Sequence, residues 1–252
     1  MVTTHSTGSL SSDAAKLAKM QRVASLVQFP LPQKQEVFCK HALHRTIDEM
    51  NTNAITLEGR VIRLDPMLRE HAPVLWDVAK GALDEIFRWI PYPMRTAEDF
   101  QVLVEKALAE QSLGQSVPFV TVERSSGRVV GSTRFMNMDA ANRRVEVGST
   151  WIAPAWQRTA ANTEAKYLML RHAFEQWKCI RVELKTDALN QRSRAAILRL
   201  GAKEEGILRQ HMVTYTGRLR DTVYFSILGS EWSQVKAKLE AMCARGASSK
   251  HI

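Results

Sequence analysis

The chain is poor in the features that would fix a fold or a location from outside. Of its 252 residues only three are cysteine, Cys39, Cys179 and Cys243, and no two form a C-x-x-C pair. That spacing excludes a disulfide framework and a zinc knuckle, and it suits a reducing compartment, hence the cytoplasm. No metal-ligating pattern is visible. Glycine numbers 12 and proline 8, too few for a collagen-like or low-complexity chain. No run of eighteen apolar residues exists, so no membrane span is predicted. An apolar core of a secretory signal is absent too. No block of five like charges occurs, which leaves no obvious basic tail for a duplex.

What is present is an ordinary globular balance. Hydrophobic residues make up 45% and charged residues 24%, enough in a chain of this length to bury a core without staples. The net charge of +9 favours anionic partners: nucleic acid, anionic lipid or a phosphate-rich cofactor. The first fifty residues contribute only +2 of it.

Three regions follow from the pattern. Residues 1–54 read as an extension, with a polar start and a short amphipathic helix carrying Leu17, Met20, Ala24 and Val27. It is either a targeting or surface helix, or a docking helix or upstream extension, and the second is favoured. Residues 55–229 read as an α/β domain, and 230–252 as a helical tail. Within the domain, 55–66 reads as one strand and 67–80 as a helix. Thr96 opens a second helix, and 117–138 forms a hairpin. Strand 144–152 leads to a helix over 163–177. Strand 180–186 leads to a helix over 191–200 that ends at Gly201, and a last hairpin turns at Thr216 and Gly217.

Two stretches carry chemistry. The first runs from Trp151 to Trp177: strand, small-residue loop, helix. A helix N-terminus offers free N–H groups and a positive dipole end to a phosphate. Ala160 and Ala161 let backbone approach an anion, and Arg158 beside Gln157 can pair with one. Glu164 suits such a site only if it points away. Taken alone, helix capping explains Thr163. The second stretch runs from Leu184 to Gly206, where Asn190 and Ser193 open a basic helix. Caps alone explain these two as well.

The order β-β-β-loop-helix-strand-loop-helix-hairpin resembles the GNAT family of acetyl-CoA-dependent N-acetyltransferases, over about residues 55–229. Gln157-Arg158-Thr159-Ala160-Ala161-Asn162 occupies the family's pyrophosphate signature, Q/R-x-x-G-x-G/A. Asn190, Ser193, Leu200 and Gly201 match its second signature, N-x-x-S ending in L-G. The helix that follows the loop resembles the branch of ribosomal-protein alanine and serine N-terminal acetyltransferases. Two departures stand out. Ala160 replaces the usual first glycine, and Ile197 replaces the tyrosine acid of many members.

The resemblance implies a mixed, mostly antiparallel sheet with flanking helices and two parallel strands splayed around acetyl-CoA, here 144–152 and 179–186. It implies cofactor contacts from Gln157, Arg158, Thr159, Ala160, Ala161, Asn162, Thr163 and Asn190. Ser193 would protonate the departing thiolate. Glu146 would act as base through water, unless it is an exposed strand residue paired with Arg144. Trp89, Tyr92 and Arg95 fall where the family builds its acceptor lid, and Arg209 or His211 would edge the acceptor groove. His172 reads as a packing residue. The implied function is acetyl transfer from acetyl-CoA to a primary amine, without metal, on a protein N-terminus or a small molecule. Alternatives are an acyl-CoA-binding regulator of weak activity, or a basic ribosome- or RNA-associated protein. A nucleic-acid partner is disfavoured because the aromatics fall at apolar positions, and a homodimer is left open.

Overall fold

A computed structural model describes residues 50–248. The amphipathic stretch expected at 13–27, with the rest of the leader to residue 49, lies outside the described residues. The strands are β1 (Leu57–Glu58), β2 (Ile62–Pro66), β3 (Val117–Glu123), β4 (Val129–Asp139), β5 (Arg144–Ile152), β6 (Arg181–Asp187), β7 (Lys203–Val213) and β8 (Leu219–Leu228). The helices are α1 (His71–Ala79), α2 (Leu83–Phe87), α3 (Ala97–Ser112), α4 (Ala160–Arg171), α5 (Gln191–Leu200) and α6 (Trp232–Ser248). One sheet collects the strands in the order β1-β2-β3-β4-β5-β6-β8-β7. Every neighbouring pair is antiparallel except β5 and β6. The mixed, mostly antiparallel sheet expected from the sequence is the one observed.

Strand alternation builds two cores, one on each face. Val117 and Phe119 point toward α4 and α6, where they join Phe135, Val147, Leu168, Val182, Phe225 and Leu239. Val120 and Val122 point the other way, against α1, α2 and α3. There Phe100, Phe87 and Trp151 meet edge to face, with ring centroids 5.4–6.1 Å apart. Helix α6 buries Trp232, Val235 and Leu239 in the same core as α4. Met50 is buried there too, against the Cys179 thiol.

Local chemistry explains most helix ends. Thr96 accepts the N–H of Asp99, and the Asp99 carboxylate accepts the N–H of Thr96, which makes a reciprocal cap for α3. Gly201 follows α5 at φ +109°, a left-handed angle that a side chain would strain, and a Cβ there would come 3.1 Å from Val235.

Three elements differ from the sequence reading. The segment 55–66 is a hairpin of two strands, not one strand. The helix expected over 67–80 spans only His71–Ala79. The helix expected over 163–177 opens at Ala160 and passes at His172–Gln176 into a wider turn with π spacing. Its cap is Thr159, whose hydroxyl accepts the N–H of Ala161 and donates to the carbonyl of Trp156. Thr163 therefore sits buried in the first turn and does not cap the helix.

The hairpin at β1–β2 depends on Glu164. This buried carboxylate accepts the backbone N–H groups of Arg60, Val61 and Ile62 at 2.7–2.8 Å. It points away from the open end of α4, which removes the conflict with an anion there. Replacing it leaves three N–H groups without their acceptor. Glu164→Ala is expected to cost about 3 kcal/mol or more in urea denaturation, and Glu164→Gln less, because one carbonyl oxygen remains.

Candidate active site

The site begins where two strands part. β5 and β6 pair in parallel at Arg144 with Arg181, Val145 with Val182 and Glu146 with Glu183, and the ladder stops there. Beyond that point β5 stays with β4 and β6 with β8, so the two halves of the sheet diverge. β5 carries one extra residue opposite β4 between Ser132 and Arg134. Ser149 lies in this bulge at φ +48°, a strained angle for a residue with a side chain. The strands expected to splay are the ones that do.

Glu146 stands at the apex of the gap and is only 3% exposed. The alternative, an exposed Glu146 paired with Arg144, is not what the structure has. Arg144 turns to Asp139 and Glu183, at 3.0 and 3.5 Å. Glu146 instead accepts from Lys185 Nζ at 2.8 Å and from Asn137 Nδ2 at 2.6 Å. Asn137 reaches it from a second bulge, at φ +50°, an angle that asparagine tolerates. Gly148 leaves the room required, since a Cβ there would come 2.9 Å from Glu146 Oε1.

The loop after β5 leads into the open end of α4. Gln157 donates to the carbonyl of Ile152 at 3.0 Å and accepts from Arg192 of α5. Arg158 is exposed at φ +61°. Ala160 and Asn162 are half-buried and Ala161 is fully buried, so small side chains line the first turn. On α5, Asn190 Oδ1 accepts the N–H of Ser193 at 3.0 Å, which makes Asn190 the helix cap. Ser193 is half-buried, and Ile197 is buried behind it. Residues 157–163 thus gather at the start of α4. Glu146 stands on β5, and Asn190 and Ser193 stand at the start of α5.

The other wall of the gap is the segment between α2 and α3. Tyr92 OH lies 3.4 Å from Ser149 Oγ, and the carbonyl of Pro91 accepts the N–H of Tyr215. Arg95 pairs with Asp84 and donates to Tyr215 OH at 2.9 Å. This segment therefore bridges β5 and the β7–β8 turn. His211 Nδ1 lies 3.1 Å from Thr222 Oγ1 on the same polar face, and Arg209 is exposed. His172 lies away from this wall, against Trp177, and burial pulls its pKa down to about 4.

Several residues of the site were not singled out from sequence. Lys185 alternates with Leu184 on β6, but its acid lies on another strand. Asp187, Arg218 and Arg220 come together across β6 and β8. Lys166 is buried on α4 and donates to Thr150 Oγ1 at 2.5 Å and Thr133 Oγ1 at 3.3 Å, both beside the β5 bulge. Burial pulls its pKa down to about 7.

That depression sets a pH dependence. Below about pH 7 the folded chain must hold the charge buried. Between there and about pH 10.4, the usual lysine value, the unfolded chain binds a proton that the folded chain does not. Lys166 therefore makes stability rise with pH across that window. Lys166→Met removes the effect. The stability of Lys166→Met minus that of the parent is expected to fall by about 3 kcal/mol between pH 7 and about pH 9.5 in urea titrations.

The comparisons agree with this geometry. The profile of the acetyltransferase (GNAT) domain matches residues 62–203. A Bacillus subtilis (strain 168) protein named as a ribosomal N-acetyltransferase, YdaF, is 34% identical over 110 residues, 44% of this chain and 59% of its own length. A second curated relative, from Bacillus licheniformis, is covered over 66% of its length, so the chain spans about three fifths of these two proteins. A solved GCN5-related N-acetyltransferase from Brucella melitensis is 33% identical, with a TM-score of 0.70, over 76% of this chain and 86% of that one. The microcin C7 self-immunity acetyltransferase MccE, solved with acetyl-CoA and AMP, shares the fold at 18% identity and a TM-score of 0.61, over 68% and 93% of the two chains. With a family profile spanning residues 62–203 and the sheet parting where that fold requires it, this chain belongs to the GNAT acetyltransferase family.

Proposed function

We propose that the chain transfers an acetyl group from acetyl-CoA to a primary amine by direct attack. The observation that carries this reading is the parting of β5 and β6 at Glu146, with the N-terminus of α4 reached from the same strand end. Parting leaves N–H groups of β5 facing the gap without a ladder partner. They suit the thioester carbonyl oxygen, where negative charge grows during attack. The first turn of α4, with Thr159, Ala160, Ala161, Asn162 and Thr163, suits a pyrophosphate. Arg158 adds a charge at its mouth, and Gln157 holds the loop. Asn190 orders the start of α5.

In this reading the amine nitrogen forms a bond to the thioester carbon as the carbon–sulfur bond breaks. The amine proton leaves through water to Glu146, and the CoA thiolate takes a proton from Ser193 or from water. The contacts from Lys185 and Asn137 hold the Glu146 carboxylate in place at the apex of the gap. Burial raises the Cys179 thiol to about 12 and the Cys243 thiol to about 11, which disfavours a cysteine nucleophile and supports direct attack. These two buried, reduced thiols also suit the cytoplasm. Among the described residues no helix is long and apolar enough to cross a membrane.

CoA thiol release in the presence of a panel of amines and N-terminal peptides tests the reading; an absence of release with every acceptor would sink it. Arg158→Glu is expected to weaken acetyl-CoA binding at least tenfold in calorimetry, since it sets a negative charge beside phosphate. Glu146→Gln is expected to lower kcat by about 10²–10⁴-fold, the usual span of acid–base catalysis, with acetyl-CoA affinity kept. Ser193→Ala is expected to lower kcat with affinity kept as well. Turnover equal to the parent would leave Ser193 as a helix-start residue only.

A further inference from the structure

The polar face beside the gap ends in a charge imbalance. Asp187, fully buried at the end of β6, meets two guanidinium groups from β8 and the turn before it. Arg218 makes the close contact to Oδ2, and Arg220 Nε stands 3.8 Å from the same oxygen. The other carboxylate oxygen already accepts the N–H of Leu189 at 3.0 Å. Arg220 is 7% exposed, and its Nε makes no hydrogen bond. Its Nη1 reaches only the carbonyl of Trp89, at 3.4 Å. One carboxylate shared by two guanidinium groups leaves one positive charge over, and while Arg218 reaches water at 35% exposure, Arg220 is buried. Such a group is unfavourable until an anion completes it.

The surroundings belong to the acceptor side of the gap. Arg220 lies near enough to Tyr92 and Glu146 for both to act on its charge, against the burial that lowers its pKa. Tyr92 touches Ser149 of the β5 bulge, and Arg218 stacks over Trp89 at 5.8 Å. Lys185, the partner of Glu146, precedes Asp187 by two residues, roughly 7 Å along a strand. An amine placed for deprotonation by Glu146 would therefore leave Arg220 a few bonds further along the same molecule. The net charge of +9 also draws acids rather than bases toward the protein.

We propose that Arg220 binds a carboxylate carried by the acceptor, so that the substrates are amines bearing an acid group a few bonds from the nitrogen. This rests on the acetyl-transfer reading above. A purely structural tie between β6 and β8 would make no distinction between acceptors, and that difference is what the experiment reads.

The probes are glycine, 3-aminopropionate, 4-aminobutyrate, aspartate and glutamate, each beside its carboxamide. Initial rates of CoA release give kcat/KM for both members of every pair. Calorimetry with the CoA-loaded protein gives their affinities. At least one acid is expected to exceed its carboxamide by about tenfold or more in kcat/KM, as a charge-assisted pair allows. Arg220→Gln should bring that ratio toward one, and Arg220→Lys should keep much of it. The KM for acetyl-CoA should stay unchanged in both. The lysine variant also guards against a glutamine variant that does not fold. Ratios near one across the panel in the parent overturn the carboxylate inference and leave acetyl transfer standing. So does Arg220→Gln lowering the melting temperature while slowing acids and carboxamides alike. If no amine is acetylated, the transfer reading falls and calorimetry decides the rest: acid binding that is lost in Arg220→Gln keeps a carboxylate site at Arg220 but overturns its assignment to an acceptor. Absence of any acid binding overturns both.

Discussion

The chemistry proposed for this domain depends on a ladder that stops after three residue pairs. Backbone N–H and C=O groups inside a protein must find partners, and a sheet normally supplies them. Here β5 and β6 separate beyond Glu146 and Glu183, and the facing edges are left open. The bulge at Ser149 turns β5 aside while it keeps its bonds to β4. The fold tolerates the opening because the apolar core under α4 and α6 runs beneath both halves of the sheet. Cohesion across the opening comes from that packing.

The same parting explains why charge collects on one face. Around it the side chains opposite the α4 core include Glu146, Glu183, Lys185 and Asp187, and β8 adds Arg220, Thr222 and Tyr224. Such groups survive near a core only in pairs. Lys185 answers Glu146, and Lys185 Nζ also lies 5.5 Å from the ring centre of Tyr224. Removing one member of such a pair strands the other, which costs more than the pair contributes.

Local signals were legible and distant ones were not. Thr96 with Asp99 three residues later announces α3, and Asn190 with Gly201 brackets α5, because each cap is made within one turn. The pair of strands that diverge was legible through the family resemblance. α4 starts three residues before the position read from sequence, because Thr159 caps it through the Ala161 N–H and the Trp156 carbonyl, contacts that residue type alone does not announce. The β1–β2 hairpin was missed because the group that holds its turn, Glu164, lies about a hundred residues away. Glu146 drew attention by its place on the strand, but its partner Lys185 belongs to another strand, and only the register of β5 against β6 brings them together.

Strand β7 forms one border of the sheet, and its eleven residues are all exposed. Ile207, Leu208, Met212 and Val213 are apolar among them, a composition that in an unpaired strand invites a neighbouring chain to add on. Lys203, Glu204, Glu205, Arg209 and His211 are interspersed along it, and its register against β8 breaks twice. Charge and irregular register both oppose such templating. Among the described residues, the protection of this border against strand addition is therefore partly electrostatic, and concentrated salt, which shortens the reach of those charges to a few ångström, weakens it.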